Sequence, residues 1–191
     1  TELAYGSLDG VLTSLRVAPQ MIGMGLLESV PDSTIEALAD PNDADGDGVS
    51  GRVNRVWSDV AGGMRVGRFG WKANVASIED QSANAARGDI GLTTALHTEQ
   101  NCTPAQADCL AAYAQPSSEG PEISPHFFAK LLFYSRAIAV PKQRDERNAD
   151  VIRGQALFRA AGCADCHMPT LKTGAKAVEP ELAQQTFHPF T

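Results

Sequence analysis

The stretch Cys163-Ala-Asp-Cys166-His167 places two thiols one helical turn apart and an imidazole directly after the second thiol. This C-x-x-C-H spacing is typical of c-type haem attachment. The thiols can form thioether bonds to the two vinyl groups of a haem, and the imidazole can bind the iron as the proximal ligand. We therefore predict a covalent haem c at Cys163, Cys166 and His167. A C-x-x-C redox pair, half of a zinc site and a structural disulfide remain alternatives.

The residues before this motif favour a helix that leads into it. Gly154 and Phe158 are four residues apart and therefore lie on one helical face, and Gly162 directly precedes Cys163. A helix that packs through a glycine and an aromatic ring, and that ends at a glycine, is how c-type cytochromes usually open. We expect this helix at about residues 148–161.

Composition limits the class of protein. The 191 residues are 43% hydrophobic, which suits one large domain or two small ones, and no apolar run approaches the length of a membrane helix. The 16 basic and 23 acidic residues give a net charge of -7, which disfavours nucleic-acid binding. An acidic surface can dock a basic electron carrier, but ordinary solubility explains the charge equally well.

A second pair of cysteines lies in the polar segment that runs from Asn101 to Cys109. Cys102 and Cys109 are predicted to close this short loop as a disulfide, with two free thiols as the alternative. Because disulfides and haem c both form in oxidising compartments, we expect a bacterial periplasmic protein.

The ends of the chain suggest a piece of a longer protein. No signal peptide is visible and Thr1 is not an initiator methionine, so we expect that the start has been processed or cut. Only 24 residues follow His167, and they show little helical periodicity. Since a haem needs burial on both faces, so small a segment could hardly enclose it. We therefore expect an internal fragment.

The rest of the sequence predicts short elements separated by loops. Helices are expected over residues 31–39, 77–87 and 127–140, short strands or turns over 56–71, and a polar loop over 40–54. In the third of these helices, Phe127, Leu131, Tyr134 and Ile138 are spaced for one face. Ser117 to Pro125 carries two prolines and a glycine, and is the best candidate for a linker.

The stretch Asp43-Ala44-Asp45-Gly46-Asp47-Gly48-Val49 is a second motif, and it indicates a bound ion. Carboxylates at its first, third and fifth positions, a glycine at the sixth and a backbone carbonyl at the seventh match the opening of an EF-hand loop. Oxygen ligands of this kind favour calcium. The twelfth position holds Asn54 instead of the usual glutamate, and no clear helix follows. We predict a structural calcium at Asp43, Asp45, Asp47, Val49 and Asn54, with a solvated Asp/Gly turn as the alternative.

Several stretches together resemble the bacterial di-haem c-type oxidoreductases of the thiol oxidoreductase type, which are related to the di-haem cytochrome c peroxidases. The resemblance lies in Arg16 to Gly23, Asp43 to Arg52, Gly67 to Ala73, Phe133 to Pro141 and Gly162 to Gly174. Proteins of this family have two C-x-x-C-H sites, and a segment like His167-Met168-Pro169-Thr170-Leu171 follows the second. The resemblance implies that Cys163 to His167 is the second haem site and that the first lies upstream of Thr1.

A more distant likeness to the di-haem peroxidases implies roles for residues at the first haem. Three stretches fall in that family's order: Arg16-Val17-Ala18-Pro19, Phe69-Gly70-Trp71-Lys72 and Ile78-Glu79-Asp80-Gln81. The family's tryptophan lies between the haems and favours electron transfer, which implies this role for Trp71. The family's glutamine lies in the peroxide pocket, which implies Gln81. The family's acid falls at Gly91 here, so the nearest carboxylate, Asp89, is the candidate for acid–base chemistry.

Structural interpretations of these and neighbouring residues stay open. Trp71 can be a packing residue, and Gln81 can be a solvated one. His97 and His126 are expected to be ordinary polar histidines, with iron ligation as the alternative. His188 is a candidate for a contact to a haem propionate, and Met21, Met24 and Met64 are expected to be core residues. Met168 is next to the proximal histidine and cannot reach the opposite face of the haem, so the sequence identifies no distal ligand.

We interpret the chain as the middle of a periplasmic di-haem c oxidoreductase, mainly α, with cytochrome c-like helical domains, long irregular loops and an inserted calcium loop. Residues 1–120 belong to the first haem domain and residues 121–191 begin the second. The expected function is peroxidase-like. The haem at Cys163–His167 accepts electrons from a small electron-donor protein, and Trp71 helps to pass them to the first haem, where peroxide or another small oxidant is reduced. A non-catalytic electron-transfer cytochrome c and a calcium-stabilised binding module are the alternatives.

Overall fold

Helices make up most of the regular structure in residues 10–113 and 120–190, which are the residues that the computed structural model describes. This part of the chain is 35% helical and 8% strand, so the predicted mainly α class agrees with the structure. The helices are α1 (Met24–Glu28), α2 (Asp32–Ala37), α3 (Ile78–Asp89), α4 (Ala107–Ala112), α5 (Pro125–Ala137), α6 (Ala149–Ala160) and α7 (Cys163–Cys166). The strands are β1 (Arg55–Ser58), β2 (Gly63–Val66), β3 (Leu171–Lys172) and β4 (Thr186–Phe187), and a 3-10 helix spans Pro180–Leu182. None of the helices in these residues combines the length and the apolar character that a membrane span requires.

Side chains that cap the helices explain where the three longest ones begin. Ser77 accepts a hydrogen bond from the Asp80 N–H at the start of α3, and Ser124 accepts one from the Phe127 N–H at the start of α5. The Asn148 side chain accepts one from the Asp150 N–H at the start of α6. Such caps satisfy backbone donors that have no partner inside the helix. The predicted helices over 77–87, 127–140 and 148–161 are therefore confirmed, and Pro125 begins α5 slightly earlier than expected.

An antiparallel hairpin fills the segment in which short strands were predicted. Strands β1 and β2 pair with Arg55 opposite Val66 and Ser58 opposite Gly63. A second turn follows, closed by a bridge between Phe69 and Val75. At Gly67 the backbones approach so closely that a Cβ would lie 1.8 Å from the carbonyl oxygen of Ala73. Only glycine fits there, so this position fixes how the second turn folds against the hairpin.

The main hydrophobic core lies between α3, α5 and the turn that follows the hairpin. Its buried residues are Phe69, Val75, Ile78, Ala83, Ala86, Ile123, Phe128 and Leu132, and Met24, Leu27, Leu92, Leu96 and Leu131 pack against it. Helix α1 contacts both α3 and α5 at this core. Eight of the 13 buried apolar residues in the described part of the chain are in this one cluster.

The face of α5 that packs into the core agrees only in part with the face that the sequence predicted, because Leu131 is the one predicted residue of this helix that packs against the main core. Phe128, Leu132 and Ser135 are buried, whereas Phe127 and Tyr134 are exposed. Phe128 and Leu132 are as apolar and as regularly spaced as the predicted residues, so periodicity could not separate the two faces. Arg136 lies one turn beyond Leu132 on the buried face, and its ion pair with Glu28 turns that face toward α1. Phe127 and Tyr134 remain on the outside as a result.

A smaller core holds the segment that follows the C-x-x-C-H motif. Val30, Leu171 and Phe187 are buried together, with Leu26, Leu27, Ile35 and Met168 packed around them. Strands β3 and β4 pair with Leu171 opposite Phe187. The Gly174 N–H donates to the Ser29 carbonyl at 2.9 Å. The chain after the motif is thereby attached to the connection between α1 and α2.

The main core contains residues from both sides of the predicted domain boundary at residues 120 and 121. Ile123 and Phe128 share it with Phe69 and Ile78. The division into a first and a second haem domain stays a prediction. The linker predicted over 117–125 lies outside the described residues at 117–119, and its described part does not behave as a linker because Ile123 is buried.

Two of the three methionines that were predicted to be core residues are not. Met24 packs against the main core, but Met21 and Met64 are about half exposed. Met64 lies on β2, a strand of a two-stranded hairpin with few neighbours, which explains its exposure. The prediction for Met21 and Met64 is therefore wrong, because residue type alone does not show which side of an element is covered.

One carboxylate connects three helices at the edge of the main core. Glu28, the last residue of α1, accepts from the Arg136 Nε at 2.7 Å and from the backbone N–H of Ile78 at 2.7 Å. The Glu28 and Arg136 side chains are only 10% and 12% exposed. The N-terminus of α3 also favours a negative charge. Glu28 therefore joins the end of α1 to the start of α3 and the end of α5.

Replacement of Glu28 tests how much this contact contributes to stability. Glu28→Gln leaves the Arg136 guanidinium largely buried without its partner, so we expect the free energy of unfolding to fall by about 3 kcal/mol. Glu36→Gln is the matched control, because Glu36 and Arg55 pair at the surface with side chains 41% and 56% exposed. That control should lose less than about 1 kcal/mol. Urea unfolding followed by circular dichroism measures both, and equal losses would contradict the central role of Glu28.

Candidate functional site

The two thiols of the C-x-x-C-H motif lie in a single helical turn. Helix α6 ends at Ala160, and Gly162, with a φ of +74°, lets the chain reverse into the short helix α7. Cys163 and Cys166 begin and end α7, and neither is in a disulfide. Cys166 is exposed and Cys163 is half-buried. Both sulfurs are therefore accessible thiols, which is the form that thioether attachment requires.

The imidazole of His167 is held in one tautomer. Its Nδ1 lies 3.1 Å from the backbone carbonyl oxygen of Phe190. Because a carbonyl oxygen can only accept, Nδ1 must carry the proton, and the lone pair of the neutral ring is then on Nε2. A histidine that binds a metal typically donates its other ring N–H in this manner. Two free thiols in one turn and an imidazole with its lone pair on Nε2 form a donor set that fits haem c.

Helix α6 has little support from the rest of the described chain. It contains no buried residue, and Ile152 and Leu157 are more than half exposed. Among the described residues, no atom lies within 4 Å of a Cβ built at Gly154. The face on which Gly154 was expected to pack is therefore open, and its predicted packing role is not visible in these residues.

Trp71 lies at the surface, close to Arg16. Both residues belong to stretches that resemble the di-haem peroxidases. It is 56% exposed, in the turn that Gly70 begins with a φ of +80°. The Arg16 guanidinium carbon is 5.7 Å from the centroid of the indole, within the range of a cation–π contact. Trp71 is thus not a core residue, and the sequence-distant Arg16 and Trp71 are neighbours.

Gln81 and Asp89, the two residues predicted for peroxide chemistry, are far apart. Both are on α3, but Gln81 is in its first turn and half-buried, whereas Asp89 is its last residue and exposed. A rise of about 1.5 Å per residue separates them by about 12 Å along the axis. The structure does not bring the two side chains together, and their roles stay predictions.

His97 and His126 were expected to be ordinary polar histidines. The His97 Nε2 lies 2.9 Å from the Asn84 side-chain oxygen and 3.9 Å from an Asp59 carboxylate oxygen. His97 thus forms a hydrogen bond with α3 and lies near a carboxylate of the hairpin. His126 is exposed in the first turn of α5.

His188 supports the loop that follows the motif. Its Nδ1 is 2.9 Å from the Pro169 carbonyl oxygen and 3.1 Å from the Thr170 hydroxyl. These contacts connect the end of β4 to the residues directly after Met168. A contact between His188 and a haem propionate stays a prediction.

The three aspartates of the predicted calcium loop converge. One carboxylate oxygen each from Asp43, Asp45 and Asp47 lies within 4.8 Å of the others. Each carboxylate also accepts a backbone N–H of the loop: Gly48 at 3.0 Å, Asp47 at 3.1 Å and Val49 at 2.7 Å respectively. The loop is therefore folded around its carboxylates, with like charges close together at the surface.

Two further residues shape this loop, and the sequence analysis identified only one of them. Asn54, predicted as a ligand, donates its amide N–H groups to the carbonyls of Lys72 and Ala73 at 3.1 Å each. It thereby connects the predicted calcium loop to the turn that carries Trp71. Asp40 was missed, and its carboxylate accepts the Ala44 N–H at 2.7 Å, which lowers the pKa of Asp40 below its usual value. An Asx-type residue just before the loop was the available sequence signal.

Cys102 and Cys109 form a disulfide in the structure. Their Cα atoms are 5.8 Å apart, and Cys109 lies on α4. The bond closes the polar segment that precedes this short helix.

Asp80 is a buried carboxylate whose importance the sequence did not reveal. It is 4% exposed and accepts from the Ser77 and Ser58 hydroxyls at 2.6 and 2.7 Å and from the Val60 N–H at 3.1 Å. Burial raises the pKa of Asp80, but the hydrogen bonds from Ser77, Ser58 and Val60 outweigh it, and the pKa lies below the usual 3.8. Asp80 thus fixes the first turn of α3, which carries Gln81, to the tip of the hairpin.

The fold and the motif together define a mainly helical protein with a haem-type C-x-x-C-H donor set. The sequence model of one family, described as "Di-haem oxidoreductase, putative peroxidase", matches residues 6–191. The chain therefore belongs to the di-haem oxidoreductases, which confirms the family that the sequence motifs suggested. No curated protein and no solved structure matches the chain.

The pH dependence of stability tests the role of Asp80. A carboxyl whose folded-state pKa is depressed stabilises the fold above its unfolded-state pKa, and this contribution is lost as the pH falls through the folded-state pKa. We expect Asp80→Asn to lose about 2 kcal/mol at neutral pH, and the gap from wild type to narrow progressively once the pH falls below about 4. Glu79→Gln, at the adjacent position of the same helical turn, is the control. Urea unfolding across the acid range measures all three, and a gap that persists at low pH would refute the assignment.

Proposed function

We propose that this chain is a haem-binding part of a periplasmic di-haem c oxidoreductase with peroxidase-like activity. Cys163 and Cys166 would hold a haem c through thioether bonds, and His167 would be its proximal ligand. The observation that carries the proposal is the hydrogen bond from the His167 Nδ1 to the Phe190 carbonyl, because it leaves the Nε2 lone pair available for iron. A cytochrome c-like second domain around this motif is part of the same proposal.

When bound, the haem supplies one-electron redox chemistry at iron. The residues of this chain would bind and orient it. The two thiols lie in one turn of α7, so both attachment points move together with that helix. Phe158, whose ring centroid is 6.3 Å from that of His167, would limit rotation of the imidazole.

Residues of the hairpin turn and of α3 would serve the first haem. Trp71 would carry electrons between the two sites, which its surface position allows, and the Arg16 guanidinium would influence its ring electrostatically. Gln81 would donate a hydrogen bond to a small oxidant such as peroxide. Asp89 would act as acid or base from the other end of α3. Because about 12 Å along the helix axis separates Asp89 from Gln81, intervening groups or water would have to carry the proton between them.

The disulfide, the proposed haem attachment and the net charge support a cellular compartment and a kind of electron donor. The disulfide between Cys102 and Cys109 and a thioether-linked haem both belong to oxidising surroundings, which supports a bacterial periplasm. A small electron-donor protein would supply electrons to the haem at Cys163–His167. The net charge of -7 would favour a donor with a basic docking face.

The loop at Asp43–Val49 would bind a structural calcium. Three carboxylate oxygens within 4.8 Å of one another repel, and a divalent cation would relieve this repulsion. Asp43, Asp45 and Asp47 would supply side-chain oxygens, Val49 its carbonyl and Asn54 its side-chain oxygen. Because Asn54 also bonds to the turn next to Trp71, bound calcium would stiffen that turn.

Haem attachment is tested by mass spectrometry of the full-length protein from a host that matures c-type cytochromes. We expect the double variant Cys163→Ala, Cys166→Ala to lose the mass of one haem, about 616 Da, relative to wild type. Cys102→Ala with Cys109→Ala is the matched control, because this second cysteine pair should not carry haem. Retention of the haem mass in the first variant would overturn the proposed attachment.

Substitutions at two surface tryptophans test whether Trp71 acts in electron transfer or only in packing. Trp71 and Trp57 are 56% and 61% exposed, so neither substitution empties a core. We expect Trp71→Phe to lower peroxide turnover by about tenfold or more, equivalent to about 1.4 kcal/mol in the barrier, while Trp57→Phe leaves it unchanged. Steady-state peroxidase assays measure both. Full turnover in Trp71→Phe would remove its role, and no turnover in the wild type would favour the non-catalytic electron-transfer cytochrome.

Calcium binding is tested by thermal unfolding with and without the ion. A ligand at about 100 times its Kd stabilises the folded state by about 2.7 kcal/mol, so we expect a calcium-dependent rise in Tm for wild type. Asp45→Asn should reduce this rise strongly. Asp108→Asn, a carboxylate on α4 outside the loop, is the control and should keep it. A Tm that does not respond to calcium in wild type would leave the solvated turn as the explanation.

A further inference from the structure

Phe190 forms backbone hydrogen bonds with two consecutive residues, His167, which would bind iron, and Met168. Its carbonyl accepts from the His167 Nδ1–H at 3.1 Å. Its own N–H donates to the Met168 carbonyl at 3.0 Å. Because both contacts use the Phe190 backbone, they fix the distance between the chain after β4 and the end of the C-x-x-C-H motif.

The ring of Phe190 makes a further contact on the same side of the motif. It meets Phe158 edge to face, with centroids 5.5 Å apart and planes at 89°. Phe158 in turn is 6.3 Å from the His167 ring. Edge-to-face pairs of this kind are attractive beyond the area that they bury. Phe190, Phe158 and His167 thus form a group of three rings that comes from three separate parts of the chain.

The backbone of Phe190 is in a conformation that phenylalanine rarely adopts. Its φ is +52°, in the left-handed region. An L-residue with a Cβ is less stable there than in its usual conformations, because the Cβ comes close to the following carbonyl oxygen. Such a conformation persists only where the surroundings hold it, and here the two backbone hydrogen bonds and the ring contact do so. At this φ, the Phe190 carbonyl contacts the His167 ring while the Phe190 N–H contacts the Met168 carbonyl.

We propose that Phe190 is a positioning residue that sets the orientation and the donor strength of the His167 imidazole, and thereby lowers the reduction potential of the haem at this motif. The inference rests on the proposed haem attachment. A hydrogen bond from Nδ1–H to a carbonyl increases electron density on the ring, so Nε2 becomes a stronger donor. A stronger donor stabilises the oxidised iron more than the reduced iron, which lowers the potential.

Substitutions at Phe190 separate the backbone contact from the ring. Phe190→Pro cannot adopt a positive φ and has no N–H, so the carbonyl should leave the imidazole. Phe190→Val is a milder variant, because a β-branched residue is disfavoured at this φ. Phe190→Gly removes the ring but adopts the same φ readily. Phe133→Ala, at an exposed phenylalanine on α5, is the remote control.

The measured quantity is the midpoint potential of the haem at Cys163 and Cys166 in the full-length protein. The redox signal of this haem is the one that the Cys163→Ala, Cys166→Ala variant lacks. We expect a rise in Phe190→Pro and Phe190→Val, a smaller rise in Phe190→Gly and no change in Phe133→Ala. A tenfold weaker preference for the oxidised iron corresponds to a rise of about 59 mV for one electron.

The outcomes distinguish this inference from the function on which it rests. Equal potentials in wild type, Phe190→Pro and Phe190→Val, all loaded with haem, overturn the positioning role and leave the haem site intact. A larger rise in Phe190→Gly than in Phe190→Pro shows that the ring acts and the carbonyl does not, which also overturns it. A wild-type protein without thioether-linked haem overturns the proposed function and the positioning role together.

Discussion

The contact between the Glu28 carboxylate, the Arg136 guanidinium and the Ile78 N–H is the constraint on which the arrangement of α1, α3 and α5 depends. A largely buried charge is stable only with a close partner, so the ends of these helices must meet at one point. Gly25, one turn before Glu28, makes the approach possible, because a Cβ there would lie 2.3 Å from the Arg136 carbonyl oxygen. The ion pair and the glycine therefore act at the same crossing of α1 over the end of α5.

Both candidate sites are connected to the helices that this contact holds together. Toward the hairpin, Asp80 holds the first turn of α3, which carries Gln81. Asn54 connects the acidic loop at Asp43–Val49 to the turn with Trp71. Toward the C-terminal segment, the connection between α1 and α2 supplies Val30 to the small core with Leu171 and Phe187. A change in the position of α1 would consequently reach both sites through packed side chains.

Local signals in the sequence were sufficient for most elements and for the motif itself. Ser77 and Asn148 mark their helices because a capping hydroxyl or amide acts within a few residues. The exposed face of α5 and the buried state of Ile123 were mispredicted because they depend on partners far along the chain. Arg136 is 108 residues from Glu28, and no periodicity reports such a pair. The Phe190 carbonyl that orients His167 was invisible for a further reason: a backbone atom has no residue-type signature.

The C-x-x-C-H motif differs in how it is supported from the residues that we propose for the reaction with peroxide. Gln81 and Trp71 are on elements fixed by the main core and by buried or bridging polar contacts, as expected for groups that must hold a geometry without a covalent bond. The motif instead follows α6, which buries no residue, and it is held by β3, β4 and the contacts of Phe190. Two thiols within one turn keep their spacing through local helix geometry alone. The proposed covalent attachment through these thiols therefore requires little packing around the motif. The His167 imidazole must be oriented by a separate contact, which is its hydrogen bond to the Phe190 carbonyl.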